Sequence, residues 1–200
     1  MPRTKEQFAE MRDASNRRIR SAASRLFAEK GFAAVNIDDI AEAAELSKGM
    51  VYRHYESKEA LFASLIQGAM DGLRRITETM EQGGDPAAIL EGIAREIYAD
   101  LNSSEDFMNL LMLVTQGVMG GATNGTAVID TNIQTIEAAA ALIRQGQEAG
   151  VFADGDPTQM GTYFFACIQG LGIMKRALGE RFQMPDVGIL TAFLYRGLQK

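Results

Sequence analysis

Between residues 19 and 62 the chain carries several short apolar stripes at helical spacing, each closed by a residue that ends or begins a helix. The first stripe consists of Ile19, Ala22, Ala23, Leu26 and Phe27. Its i, i+3, i+4, i+7 spacing predicts an amphipathic helix. Lys30 and Gly31 end that helix, because glycine readily adopts the left-handed conformation of a helix cap. The segment therefore predicts a cluster of short helices.

Two short helices follow the first one. A second stripe consists of Ile37, Ile40, Ala41 and Ala44, and the side chain of Asn36 can cap its first turn. Glu45 and Leu46 break the pattern. Ser47 can then cap a third helix that runs to Tyr55, and Ser57 can cap a fourth that starts at Lys58.

Two short helices joined by a tight turn and supported by a third are typical of a helix-turn-helix. The second helix of the pair carries Lys48, Tyr52, Arg53 and His54, which are donors and aromatic edges suited to phosphates and base edges. A small helical subdomain with a solvated charged face has the same spacing. The pattern alone leaves both interpretations open.

The motifs resolve that choice by resemblance. They are Ile19-x-x-Ala22-Ala23-x-x-Leu26-Phe27-x-x-x-Gly31-Phe32, Ile40-Ala41-x-x-Ala44, and Leu46-Ser47-Lys48-Gly49-x-Val51-Tyr52-x-His54-Tyr55-x-Ser57-Lys58-Glu59-x-Leu61. Together they resemble the DNA-binding domain of TetR-family transcriptional regulators over about residues 12–65. The resemblance implies an all-α homodimer. Residues 1–58 would form a three-helix helix-turn-helix DNA-binding domain, and residues 59–200 a helical ligand-binding and dimerisation domain.

The resemblance also implies roles for particular residues. The DNA-binding residues we expect are Asn36, Ser47, Lys48, Gly49, Tyr52, Arg53, His54 and Lys58. Lys58 could instead be a plain solvated lysine, and Tyr55 is expected to pack under the helix. Glu45 stands where the family often has glycine, so a left-handed backbone there would cost about 1 kcal/mol.

The remainder of the chain reads as helices. We expect spans near 58–82, 86–101, 105–120, 125–149, 157–178 and 186–199, separated by Gly-, Pro-, Asn- and Ser-containing breaks. No run alternates convincingly with period two, so we expect no sheet.

The helix over 157–178 is apolar nearly all round, which favours a partner subunit that covers it. The dimer interface we expect contains Met160, Phe164, Leu171, Met174, Leu178, Leu190, Phe193 and Leu194. Gly161, Gly170 and Gly172 would permit close approach of helices. The alternative is that these residues form only the core of one chain.

A ligand pocket is the least specified feature of the sequence. Methionines at residues 108, 112 and 119 fit an irregular apolar cavity, although such stripes also fill ordinary cores. The pocket residues we expect are Tyr98, Phe107, Met108, Leu111, Met112, Gln116, Tyr163 and Cys167.

Charge and composition limit the other function classes. The net charge is −6, yet residues 1–58 hold 11 Lys+Arg against 9 Asp+Glu, whereas residues 59–200 hold 9 against 17. The acidic total therefore does not exclude DNA. One cysteine and one histidine exclude a disulfide within the chain and a site with two histidine ligands.

We expect a cytoplasmic, non-enzymatic repressor without cofactor, metal or membrane segment. It would bind an operator in double-stranded DNA and release it on binding a small effector. An activator or co-regulator of the same fold is the alternative, and a small-molecule enzyme is a further one.

Overall fold

A computed structural model describes the backbone of residues 5–119 and 125–195, and the side chains of residues 6–115 and 126–195. Within these residues the chain is helical, and the one β contact is an isolated antiparallel bridge between Phe152 and Tyr195. The helices are α1 (Lys5–Lys30), α2 (Ile37–Ala43), α3 (Lys48–His54), α4 (Lys58–Glu81), α5 (Pro86–Ser103), α6 (Glu105–Met119), α7 (Gly125–Glu148), α8 (Pro157–Leu178) and α9 (Val187–Thr191).

The short N-terminal helices begin where side chains satisfy free backbone N–H groups. Asn36 and Asp39 form a capping box at α2, in which each side chain accepts a hydrogen bond from the other residue's backbone N–H, both at 2.9 Å. Ser47 accepts from the N–H of Met50 at α3, and Ser57 accepts from that of Ala60 at α4. All three caps are confirmed. Gly31 closes α1 with a φ of 78°, as its position predicts.

The last helix is where the sequence prediction fails. The expected helix over 186–199 is wrong within the described residues, because α9 ends at Thr191 and a 3₁₀ turn follows over Ala192–Leu194. Residues 196–199 of that span lie outside the described residues. The carbonyl of Leu194 accepts a hydrogen bond from the N–H of Ala153 at 2.7 Å, and the hydroxyl of Tyr195 donates to Glu91 at 2.6 Å. These contacts hold the chain extended at Tyr195 and prevent the helix from continuing.

The buried side chains form two apolar clusters. The first joins α1, α2, α3 and the first half of α4, and Leu113 of α6 and Val128 of α7 also belong to it. The second joins the end of α4 to α5, α6, α7, α8 and α9. Because α4 contributes to both clusters, it links the helix-turn-helix to the larger helical part. The predicted division after residue 58 falls at its first residue and stays a prediction.

No helix among the described residues is both long enough and apolar enough to cross a membrane.

Candidate functional site

The outer face of α3 carries the side chains that the sequence assigns to DNA. The Ser47 cap fixes where α3 begins, and Val51, which is fully buried, anchors its inner face. Lys48, Gly49, Tyr52 and Arg53 are exposed, with 47% of Tyr52 accessible. A Cβ at Gly49 would meet no atom within 4 Å, so packing within the chain does not require glycine there. The outer face of α3 therefore presents two cations, a phenol and, at Gly49, backbone without a side chain.

Lys48 is paired with a residue of α2. Its Nζ lies 2.8 Å from Oδ2 of Asp38, and both side chains are more than half exposed. The hydrogen bond to Asp38 raises the pKa of Lys48. Lys48 therefore remains charged and held toward the start of α2. Asp38 was missed by the sequence reasoning, since its ten-residue separation from Lys48 carries no periodic signal.

His54 is held by α1. Its Nε2 lies 2.8 Å from Oγ of Ser15, and the neighbouring Tyr55 donates from its hydroxyl to Oδ1 of Asn16 at 2.7 Å. Desolvation by burial lowers the pKa of His54, and the positive charges of Arg12 and Arg53 add to that effect. The end of α3 is thus fastened to α1. Neither Ser15 nor Asn16 was singled out from the sequence, because both contacts span 39 residues.

Lys58 has partners within the chain. Its Nζ donates to the carbonyls of Phe32 at 2.9 Å and Val35 at 2.8 Å, and it lies 4.2 Å from the centre of the Phe32 ring. Since an ammonium has three donors, only one remains for a phosphate. The alternative interpretation of Lys58 as a plain solvated lysine is therefore wrong. Its observed role is to fasten α4 to the connection between α1 and α2.

Asn36 and Glu45 lie at the two ends of α2. The side-chain oxygen of Asn36 is used by the cap, while the residue itself is exposed. Glu45 has a φ of 51° and is the one non-glycine residue with a positive φ in the described part of the chain. Its carboxylate accepts a hydrogen bond from Arg18 at 2.8 Å. The left-handed backbone expected at this position is therefore present without glycine.

Part of the predicted dimer interface is buried within the single chain. Phe164, Leu190 and Leu194 are buried inside the single chain, so their assignment to a partner surface is wrong. Gly161 lies against Ala139 and the carbonyl of Ile136 on α7, and Gly172 lies against Leu111 on α6. These two glycines permit close helix approach within one chain, whereas nothing approaches Gly170.

Another side of α8 and the start of α9 expose large apolar residues. We call these residues the α8 face; they are Tyr163, Ile173, Met174, Leu178 and Ile189, which are 41–68% exposed. Phe193, half-buried, contacts Tyr163 edge-on with 4.8 Å between ring centres. Met174 and Leu178 belong to the predicted interface, and Met160 and Leu171 are half-buried in the second cluster.

The predicted pocket residues are divided between two regions. Tyr98 and Met108 are buried in the second cluster, and Phe107, Leu111 and Cys167 pack against it. Burial raises the pKa of Tyr98. Tyr163 is 56% exposed on the α8 face, which contradicts its assignment to an interior pocket. Met112 is half-buried on α6. The side chain of Gln116 lies outside the described residues.

A cleft of about 690 Å³ lies between α4 and α7. Met80, Ala138 and Leu142 form its apolar part, and Glu78, Glu81 and Glu137 are among the polar residues that line it. Of the predicted pocket residues whose side chains the structure describes, none lines this cleft.

Polar contacts connect α1 to the helices after α3. Oγ of Ser21 donates to Asp106 of α6 at 2.8 Å, and Arg20 donates to Oγ of Ser64 of α4 at 2.6 Å. Arg176 of α8 lies 3.7 Å from Glu29. A shift of α4, α6 or α8 would therefore act on α1, and α1 holds the end of α3 through Ser15.

Comparison with known proteins agrees with the fold and the helix-turn-helix. Residues 19–65 match the family model described as bacterial regulatory proteins, tetR family. The HTH-type transcriptional regulator YerO of Bacillus subtilis is 37% identical over 99 residues, which cover 48% of this chain and 34% of YerO. The HTH-type transcriptional repressor KstR2 of Rhodococcus jostii is 35% identical over 83 residues, which cover 41% of each chain. The chain thus spans less than half the length of either relative.

A solved structure extends the likeness to nearly the whole chain. The TetR-family transcriptional regulator PfmR of Thermus thermophilus is 27% identical, with a TM-score of 0.70. The superposition covers 91% of this chain and 99% of PfmR.

Proposed function

From its membership of the TetR family of bacterial regulatory proteins, we propose that this chain is a dimeric transcriptional repressor of the cytoplasm. It would bind a pseudo-palindromic operator in double-stranded DNA, and a small, largely apolar inducer would release it. The observation that carries the proposal is the outer face of α3. Its cations and Tyr52 project from a helix that Ser47, Val51 and Ser15 hold in place. The similarity to the repressor KstR2 supports repression.

DNA recognition would use α3 in the major groove. Arg53 and Lys48 can donate to phosphates or to guanine edges, and Tyr52 offers a ring and a hydroxyl. Gly49 would allow the backbone to approach the sugar-phosphate chain closely. Asn36 and Ser47 lie at the starts of α2 and α3, where backbone N–H groups suit phosphate oxygens.

Dimerisation would follow from the α8 face. Large apolar residues that are 41–68% exposed favour coverage by another protein surface. A second copy of this chain is the partner that a pseudo-palindrome requires, because two recognition helices must enter major grooves about 34–36 Å apart.

The inducer would act through the contacts on α1. A ligand bound among Tyr98, Phe107, Met108, Leu111 and Met112 would touch α5 and α6, and Asp106 connects α6 to Ser21. A ligand that prefers the arrangement unsuited to DNA must weaken DNA binding by linkage.

The experiment that tests the proposal measures binding of the full chain to DNA fragments from the region around its own gene. We expect sequence-specific binding that weakens steeply as salt rises. Arg53→Ala should weaken it, whereas Arg95→Ala, which removes an exposed arginine of α5, should leave it unchanged. Failure to bind any such fragment across a broad salt range would overturn the proposal. Reporter output that falls after deletion of the gene would favour an activator.

A further inference from the structure

We propose that Asp38 is a positioning residue that competes with DNA phosphates for Lys48 and thereby limits non-specific DNA binding. The inference rests on the proposed function and goes beyond it, because it assigns a role in discrimination to a residue of α2 outside the predicted DNA-binding set.

The two consecutive aspartates of α2 bind different partners. Asp39 completes the capping box, since its Oδ2 accepts a hydrogen bond from the backbone N–H of Asn36 at 2.9 Å. Asp38 has no part in that box. Its Oδ2 instead lies 2.8 Å from Nζ of Lys48, across the connection from α2 to α3. The carboxylate of Asp38 is therefore available to act on the recognition face.

The pair contributes little to holding the fold together. The side chains of Lys48 and Asp38 are 51% and 65% exposed, and exposed ion pairs are weak because water and salt screen them. The fold already fixes α2 and α3 by the caps and by buried apolar residues such as Ile40 and Val51. The ion pair matters instead for the charge of the surface, because Asp38 neutralises one of the two cations on the outer face of α3.

That neutralisation affects non-specific and specific binding differently. Non-specific affinity comes almost entirely from cations that replace counterions on phosphates. A lysine already bound to a carboxylate releases fewer counterions, and the carboxylate itself repels phosphate. At an operator, base contacts from other residues of α3 add affinity that does not depend on this pair. Asp38 therefore raises the ratio of specific to non-specific binding.

The test uses the full chain and a mixed-sequence duplex of about 30 base pairs, long enough to cover the two half-sites of a dimer. Fluorescence anisotropy gives the affinity at a series of salt concentrations. Asp38→Asn should bind several-fold more tightly than wild type. Its plot of log affinity against log salt should be steeper by about 1.8, because a dimer frees two lysines and each further phosphate contact adds about 0.9.

Asp71→Asn is the matched control. It removes the same charge from another exposed pair with the same 2.8 Å distance, Arg74–Asp71 on α4, away from α3. It should change neither the affinity nor the slope. In a Lys48→Gln background Asp38→Asn should have a much smaller effect, because its partner is absent and only the repulsion between the carboxylate and phosphate is removed.

The outcomes separate the two proposals. Wild-type protein that binds neither this duplex at about 50 mM salt nor any fragment from the region around its own gene would overturn the proposed function, and this inference with it. If wild type binds, then equal effects of Asp38→Asn and Asp71→Asn overturn the inference alone. So does an Asp38→Asn effect of undiminished size in Lys48→Gln, since Asp38 would then act without Lys48. If Asp38→Asn does not fold, Asp38→Ser makes the same measurement with a residue well suited to a helix start.

Discussion

Oγ of Ser15 in α1 lies 2.8 Å from Nε2 of His54 at the end of α3. The Ser15 hydroxyl donates its hydrogen to the carbonyl of Arg12, also at 2.8 Å. Oγ is therefore the acceptor toward His54, and Nε2–H is the donor. In neutral His54 the hydrogen thus sits on Nε2, which leaves Nδ1 as an acceptor. The bond joins the end of α3 to the helix that contacts α4, α6 and α8.

Protonation of His54 should destabilise the fold. Burial, Arg12 and Arg53 lower its pKa in the folded chain, so the unfolded chain binds the proton more readily. Its contribution to stability is complete above the unfolded pKa of about 6.5, and it is lost as pH falls from there through the folded pKa. We expect an NMR titration midpoint of His54 below about 6.5. Urea unfolding of wild type and His54→Gln should show a smaller pH dependence in the variant; equal dependence would contradict the assignment.

The left-handed backbone at Glu45 predicts a difference between two substitutions. Both Glu45→Ala and Glu45→Gly remove the exposed pair with Arg18, but only glycine relieves the positive φ of 51°. Glu45→Gly should therefore be more stable than Glu45→Ala by about 1 kcal/mol. Urea unfolding of both variants measures the difference. Equal stability would mean that the backbone at residue 45 is not strained in solution.

Lys58 should matter for stability more than Lys48. Lys58→Met leaves the carbonyls of Phe32 and Val35 without their charged donor, and we expect a loss of about 2 kcal/mol. Lys48→Met is the matched control, because it removes the same charge from an exposed pair and should cost less than about 1 kcal/mol. Thermal or urea unfolding compares them. Similar losses in the two variants would contradict the fastening role of Lys58.

The parts of this fold that local chemistry determines could be predicted from the sequence. Asn36, Ser47 and Ser57 satisfy N–H groups three residues away, so their caps and the starts of α2, α3 and α4 are visible in the chain itself. The resemblance to the TetR family predicts which face of α3 meets DNA. The partners of that face, Asp38 and Ser15, arise only when helices pack, and no spacing reveals them.

The register of α8 shows the same limit. Its sequence contains two apolar stripes at helical spacing, one through Phe164 and one through Tyr163, so periodicity alone cannot say which faces the core. Packing makes the choice, because Gly161 lets α8 approach Ala139 of α7 and Phe164 is then fully buried. Likewise, the chain is extended at Tyr195 because this residue forms a bridge with Phe152, which is distant in sequence.

Phe164 and Tyr163 should therefore respond differently to the same substitution. Phe164→Ala removes a fully buried ring and should cost about 3–5 kcal/mol. Tyr163→Ala removes a ring that is 56% exposed, and it should lower the stability of a single chain much less. Urea unfolding at a low, fixed protein concentration makes the comparison. A larger loss for Tyr163→Ala would contradict the register of α8.

The α8 face also predicts the effect of a charge on the oligomeric state. Met174 is 48% exposed on this face, so a lysine there can reach water in a single chain. In a dimer that buries the face, two such lysines would lose hydration and repel each other. Met174→Lys should therefore shift the protein from dimer to monomer in sedimentation velocity, with little change in its helical circular dichroism. Met11→Lys places the same charge at an equally exposed methionine of α1 and should leave the dimer intact. A Met174→Lys protein that remains dimeric at every concentration tested would show that the two chains meet through another surface.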